Sequence, residues 1–198
     1  MISKKSIIFM ALGTIFIFGG LGILFVPPTR KIDLISFLVG VSPLWKQVGI
    51  GVVFGFIAAK AGWQIVELPR LARTKIFFVR LIKPIKLNII EILLISLCAG
   101  IGEEFFFRGV LQPWLGIWIT AFAFVMLHGY LNPFNLPLTG YGFYMVLVIA
   151  AIGYMTEHLG IVAAMTAHTV IDVVLLRQLS KAEVPPEPEE KESGDGYM

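Results

Sequence analysis

Two adjacent glutamates and an arginine stand inside an otherwise uncharged stretch of chain. The residues run Gly102-Glu103-Glu104-Phe105-Phe106-Phe107-Arg108-Gly109. The apolar run Leu93 to Leu97 precedes them, and Val110 to Thr120 follow without an ionisable side chain. Each charge costs several kcal/mol in hydrocarbon unless it is paired, solvated or protonated. An acid or base in such a place therefore marks a functional site by default.

Composition says that the surroundings are hydrocarbon. The 198 residues are 57% hydrophobic and 15% charged, with a mean hydropathy of +0.85. A soluble domain carries about 25% charged residues. The expected class is all-α, a polytopic transmembrane bundle of about six helices around an intramembrane polar cavity. The net charge of +3 is a matter of short basic loops, so membrane lipid and not nucleic acid is the expected environment. A single cysteine, Cys98, leaves no intrachain disulfide.

A first helix is expected from Ser6 to Val26, stopped by Pro27-Pro28. Its apolar run of about 20 residues fits a retained span, since a signal h-region is about 7 to 15. Residues 29–46 read as a linker whose apolar piece, Leu34 to Val41, is interfacial. A second helix is expected from Val48 to Leu68, with Lys60 snorkelling. Arg70, Arg73, Lys75, Arg80, Lys83 and Lys86 follow with no acid among them. By the positive-inside rule this stretch and the Lys4-Lys5 terminus are cytoplasmic.

A third helix starts near Leu87 and carries the Glu103 cluster to about Trp114. A turn at Leu115-Gly116 leads to a fourth helix ending near Gly129. Tyr130 to Thr139 is a loop, and the fifth and sixth helices run from Tyr141 to Glu157 and from Gly160 to Leu179. Residues 1–179 thus form the membrane domain, with a motif-bearing core at 87–179. Residues 180–198, rich in proline and in Glu187, Glu189, Glu190 and Glu192, form a disordered tail suited to a protein partner.

Spacing splits the two acids. Glu104 and Arg108 are four apart, on one helix face, and can pair. Glu103 is rotated by about 100° and has no partner on its own helix. Folding the chain back at Gly116 brings His128 level with Glu103, both about 18 to 20 Å from the turn. His168 and Asp172, four apart on the last helix, reach within about two turns of the same level. Purely structural hydrogen bonding is the alternative for each of these groups, but three helices converging in depth is hard to assign to packing. His158 reads as interfacial; Trp114, Trp118 and Tyr130 read as interface or packing aromatics.

A carboxylate beside a histidine in a dry pocket can activate water as a general base. A second polar pair can stabilise the oxyanion of a tetrahedral intermediate. Ser96 and Cys98 lie one to two turns from Glu103, which leaves water as the nucleophile. Zinc held by the same groups is the competing use, although no HExxH occurs.

At these residues the chain resembles the CPBP family of intramembrane proteases, the CAAX protease and bacteriocin-processing (Abi) group that includes type II CAAX prenyl endopeptidases. Their pattern of EExxxR, FxxxH and HxxxN is met here by Glu103 to Arg108, by Phe124 to His128 and by His168 to Asp172. The resemblance covers Ile89 to Leu179. It implies a membrane-embedded endopeptidase of the glutamic type in a prokaryotic cell membrane, acting on a peptide or lipidated protein and needing no cofactor. Glu103 matches the water-activating base and His128 its assistant. His168 and Asp172 match the oxyanion pair, and Glu104 with Arg108 the supporting ion pair. Asp172 departs from asparagine, and an ionised aspartate donates no hydrogen bond. A non-catalytic membrane partner that retains the fold and a proton-coupled transporter are the rival readings.

Overall fold

The computed structural model describes residues 3–183. Among these the chain is helical and strand-free. Helix α1 (Lys4–Arg30) is one span with a π-helical turn at Ile15–Gly19. A short α2 (Leu34–Val39) follows, then α3 (Leu44–Val66) and the basic α4 (Ala72–Ile82). Helices α5 (89–115) and α6 (117–127) are two arms of one hydrogen-bonded stretch, Ile89–Leu127. The last two are α7 (Leu136–His158) and α8 (Ile161–Lys181).

Five helices are long and apolar enough to cross a membrane, counting Ile89–Leu127 as one. Straight, that 39-residue helix would be about 58 Å long, twice the hydrocarbon core. It cannot be straight, because Gly116 has φ 74° and ψ 169° and reverses the chain there. The third and fourth helices expected from the sequence are its two arms. Burial is that of an integral membrane protein: Phe9, Phe16, Val53, Ile57 and Ile119 face outward, while Glu104, Arg108, Gln112 and His168 lie inside.

Three boundaries differ from expectation. Pro27-Pro28 do not end α1, which continues to Arg30 and closes on Lys31 in the left-handed conformation. A proline in the last turn loses one backbone bond but leaves the helical path open. The loop after α6 is shorter than Tyr130 to Thr139, since α7 begins at Leu136. There Asn135 accepts from the Leu138 amide at 3.1 Å, and Pro137 sits in the first turn, where a missing N–H costs nothing. Helix α8 extends through Ser180 to Lys181, two residues into the expected tail; positions 184–198 lie outside the described residues.

Local chemistry sets the other helix starts. Asp33 caps α2 through Ser36, whose hydrogen bonds hold the Asp33 carboxyl below the usual carboxylate range. Asn88 and Glu91 form a capping box at the start of α5, with bonds of 2.9 and 2.7 Å.

Small residues bring the helices close, as expected where lipid supplies no hydrophobic drive between them. On α3, Gly51 and Gly55 face the backbone of α8 at Ala163 and Ala167. A Cβ on Gly55 would stand 2.5 Å from the Ala167 carbonyl. On α5, Gly100 abuts the Thr169 amide of α8 and Gly102 abuts the α1 backbone at Thr14-Ile15, each 2.9 Å from an added Cβ. The acidic pair is thus carried on a helix clamped between α1 and α8, and His168 follows directly on the α3 crossing.

Substituting Gly55→Leu is expected to lower stability by about 1–3 kcal/mol, the usual cost of overpacking. Thermal unfolding in detergent measures it. Gly49→Leu is the control, because nothing stands within 4 Å of a Cβ there.

Candidate active site

Glu104 and Arg108 form the closed half of the site. Both side chains are 0% exposed, and Arg108 Nε donates to Glu104 Oε2 at 2.7 Å. The other carboxylate oxygen, Oε1, lies 2.9 Å from His168 Nδ1. With a carboxylate as its partner, Nδ1 carries the proton and donates it. Glu104 therefore serves two cations or donors, one from its own helix and one from α8. The sequence spacing indicated the first; the second emerges only from the fold, because 64 residues separate the partners.

Glu103 and His128 form the open half. Their side chains are 13% and 36% exposed, whereas those of Glu104 and Arg108 are wholly buried. Glu103 Oε2 lies 3.5 Å from His128 Nε2 and has no hydrogen-bond partner. On a straight helix the two residues would be about 37 Å apart. The Gly116 reversal brings them level, as the hairpin geometry required. His128 Nδ1 lies 2.8 Å from the Phe124 carbonyl, which can only accept. The proton of a neutral ring thus sits on Nδ1, and the Nε2 lone pair faces Glu103.

Aromatic packing fixes both imidazoles. Phe124 stacks on His128 with centroids 4.3 Å apart and meets His168 edge-on at 5.6 Å. Phe107 buttresses Phe124 at 4.8 Å. Tyr130, expected as an interface or packing aromatic, lies parallel to His128 on the loop side at 6.3 Å. The phenylalanine of the Phe124-x-x-x-His128 motif is thus the spacer between the two histidines.

Asp172 does not form a hydrogen bond with His168. Its Oδ2 is 3.7 Å from Nε2, beyond hydrogen-bond length. It lies at the head of a cavity of about 310 Å³, whose other walls include Trp63, Phe78, Tyr130, Leu175 and Leu179. That cavity runs from the site toward the end of the bundle that carries α4. Among the described residues, no three His, Cys, Asp or Glu side chains stand close enough together to form a ready-made metal site. His158 is exposed and stacks on Tyr154, away from the cluster.

Gln112, Glu157 and Arg30 were missed from the sequence. Gln112 accepts from Arg108 Nη1 at 3.2 Å and donates to Glu157 Oε1 at 2.6 Å. A signal was present: Glu104, Arg108 and Gln112 form an i, i+4, i+8 polar stripe on one helix face.

Residues 85–174, which hold all three motifs, match the family described as Rce1-like, type II CAAX prenyl endopeptidase Rce1-like. The chain is also similar to the uncharacterized protein YpbD of Bacillus subtilis (strain 168), with 37% identity over 97 residues. That alignment covers 48% of this chain and 48% of YpbD, so the similarity spans about half of each. No solved structure matches the chain. The segment that matches the family model is the one that carries the motifs, so the resemblance read from them is met again at the level of the family.

Replacing Arg108 by Met is expected to destabilise the protein by about 3–5 kcal/mol, because it strands a buried carboxylate. Adding Glu104→Gln to that variant removes the stranded charge and should recover part of the loss. Unfolding titrations of the two variants in detergent measure the difference.

Proposed function

We propose that the protein is an intramembrane endopeptidase of the type II CAAX kind, hydrolysing a peptide bond with water activated by Glu103 and His128. The observation that carries this reading is the Glu103 oxygen that has no hydrogen-bond partner and lies 3.5 Å from His128 Nε2. A water bound beside the pair can hydrogen-bond to both atoms and lose a proton to Glu103.

The chemistry then runs in three steps. Glu103 takes a proton from water, His128 Nε2 holds the other, and the oxygen adds to the scissile carbonyl carbon. The carbonyl π-electron pair moves to its oxygen, which accepts a hydrogen bond from the Nε2–H of His168. The C–N bond breaks as the tetrahedral species collapses, and Glu103 gives its proton to the leaving amine. His168 offers this N–H while its Nδ1–H stays on Glu104. Asp172 stands 3.7 Å from His168 Nε2 as a nearby carboxylate and does not itself donate, which accommodates an aspartate where the family pattern has asparagine.

The substrate class is a peptide or lipidated protein lying in or against the bilayer. The positive-inside rule favours the cytoplasmic side for both termini and for the basic α4. The cavity at Asp172 then opens toward the cytoplasm. Similarity to a Bacillus protein supports a prokaryotic cell membrane.

Membrane proteomes of cells carrying wild-type or Glu103→Ala protein test the reading. At least one peptide should differ in length between them, with processing lowered by about 10²–10⁴-fold, the usual loss on removing a general base. Equal insertion of both proteins is the control. Full processing by Glu103→Ala would refute the hydrolytic reading, and an undiminished partner complex in that variant would favour a non-catalytic role.

A further inference from the structure

The polar stripe of α5 does not end at the site. Arg108 passes from Glu104 to Gln112, and Gln112 passes to Glu157 of α7. Gln112 Nε2 donates both to Glu157 Oε1 at 2.6 Å and to the Gly153 carbonyl at 3.2 Å, which leaves its Oε1 for Arg108. The amide orientation is therefore set by its neighbours on both sides. Glu157 in turn takes a two-pronged ion pair from Arg30 at the end of α1, with both bonds at 2.9 Å. Two carboxylates and two guanidiniums alternate along this line, joined by one amide.

The backbone of α5 is shaped to receive Arg30. Residues Phe107–Leu111 form a π-helical turn, in which the Gln112 amide bonds back to the Phe107 carbonyl. A π-turn widens the helix and frees carbonyls that an α-turn would use. Arg30 Nη2 donates to the Arg108 carbonyl at 2.5 Å, and Thr29 Oγ1 donates to the Gly109 carbonyl at 3.1 Å. Gly109 allows this approach, since a Cβ there would meet Val26 of α1. The end of α1 thus grips the turn that aims Arg108 and Gln112.

We infer that Arg30, Gln112 and Glu157 are positioning residues: they hold the Arg108 guanidinium, and through Glu104 they fix the imidazole of His168. None of the three touches the cavity side of the site. Their reach is by contact, along an unbroken sequence of donors and acceptors from Arg30 to His168 Nδ1. The hydrolytic reading matters here only for the effect on turnover; the effect on the ring stands on geometry alone.

The test uses the full chain in lipid nanodiscs with ring-¹⁵N histidine. Its three histidines are assigned with His158→Gln and His128→Gln. Glu157→Leu, Gln112→Leu and Arg30→Met should each move the His168 Nδ1 resonance away from its hydrogen-bonded position while His128 holds. Glu157→Gln, which keeps an acceptor oxygen, should restore most of the signal. Lys4→Met is the control for a plain structural staple, because Lys4 also ties α1 to α5, through Glu91 at 2.9 Å. It should leave His168 where it is. Should the neutral variants fail to fold, Arg30→Lys keeps the charge and loses the fork, and must shift the same resonance in the same direction. With a substrate in hand, kcat of Glu157→Leu should fall by about 10²-fold while KM holds. An unmoved His168 in these variants, or an equal shift in Lys4→Met, would overturn the positioning role. A moved ring with unchanged turnover upholds it and counts against His168 in hydrolysis.

Discussion

The ion pair between Glu104 and Arg108 is the constraint on which the bundle is built. Both groups are wholly excluded from solvent, and either alone would be an unpaired charge in a low-dielectric interior. Their helix supplies the first contact by i, i+4 stacking. One guanidinium does not satisfy a buried carboxylate, however, and one carboxylate does not satisfy a guanidinium. Glu104 turns its second oxygen to His168, and Arg108 turns a second nitrogen to Gln112. Gln112 in turn donates to Gly153 and Glu157 of α7, so α5, α7 and α8 are tied together. Fold and site are thus tied by the same set of hydrogen bonds.

Close helix packing makes those bonds reachable. Gly100 and Gly102 let α5 press against α8 and α1 within one turn of the acids, and Gly55 lets α3 press on α8 next to His168. Polar side chains reach only a few ångströms, so a methyl group at these crossings would move them out of range. Phe124 then spaces the two imidazoles from each other. Close backbone crossings and aromatic spacers hold the site.

Much of this was legible in the sequence, and for a physical reason. In an apolar chain every charge is conspicuous, so Glu103, Glu104, Arg108, His128, His168 and Asp172 could be picked out one by one. Helical rise placed them at a common depth, and Gly116 marked the reversal that brings Glu103 to His128. What the sequence hid were contacts between distant parts of the chain. Glu104 meeting His168, and Arg30 meeting Glu157 across 127 residues, depend on which helices are neighbours. Helical rise gives depth but not lateral order. Arg30 also lay beyond the prolines that were expected to stop α1. The gap between His168 and Asp172 was hidden for another reason: an i, i+4 spacing permits a bond without requiring one.

The two glutamates now have separate duties. Glu104 is consumed by the scaffold, with both oxygens engaged. Glu103 keeps one buried oxygen without a hydrogen-bond partner, 3.5 Å from His128 Nε2. That asymmetry is the basis for assigning water activation to Glu103 with the chain's own atoms. The most direct test is cleavage of an identified peptide substrate by purified protein in nanodiscs, comparing wild type with Glu103→Gln in the presence of a metal chelator. The account predicts that chelated wild-type protein cleaves at its full rate and that Glu103→Gln, folded and inserted, does not. Cleavage by Glu103→Gln, or a wild-type rate that chelation abolishes and zinc restores, would contradict it.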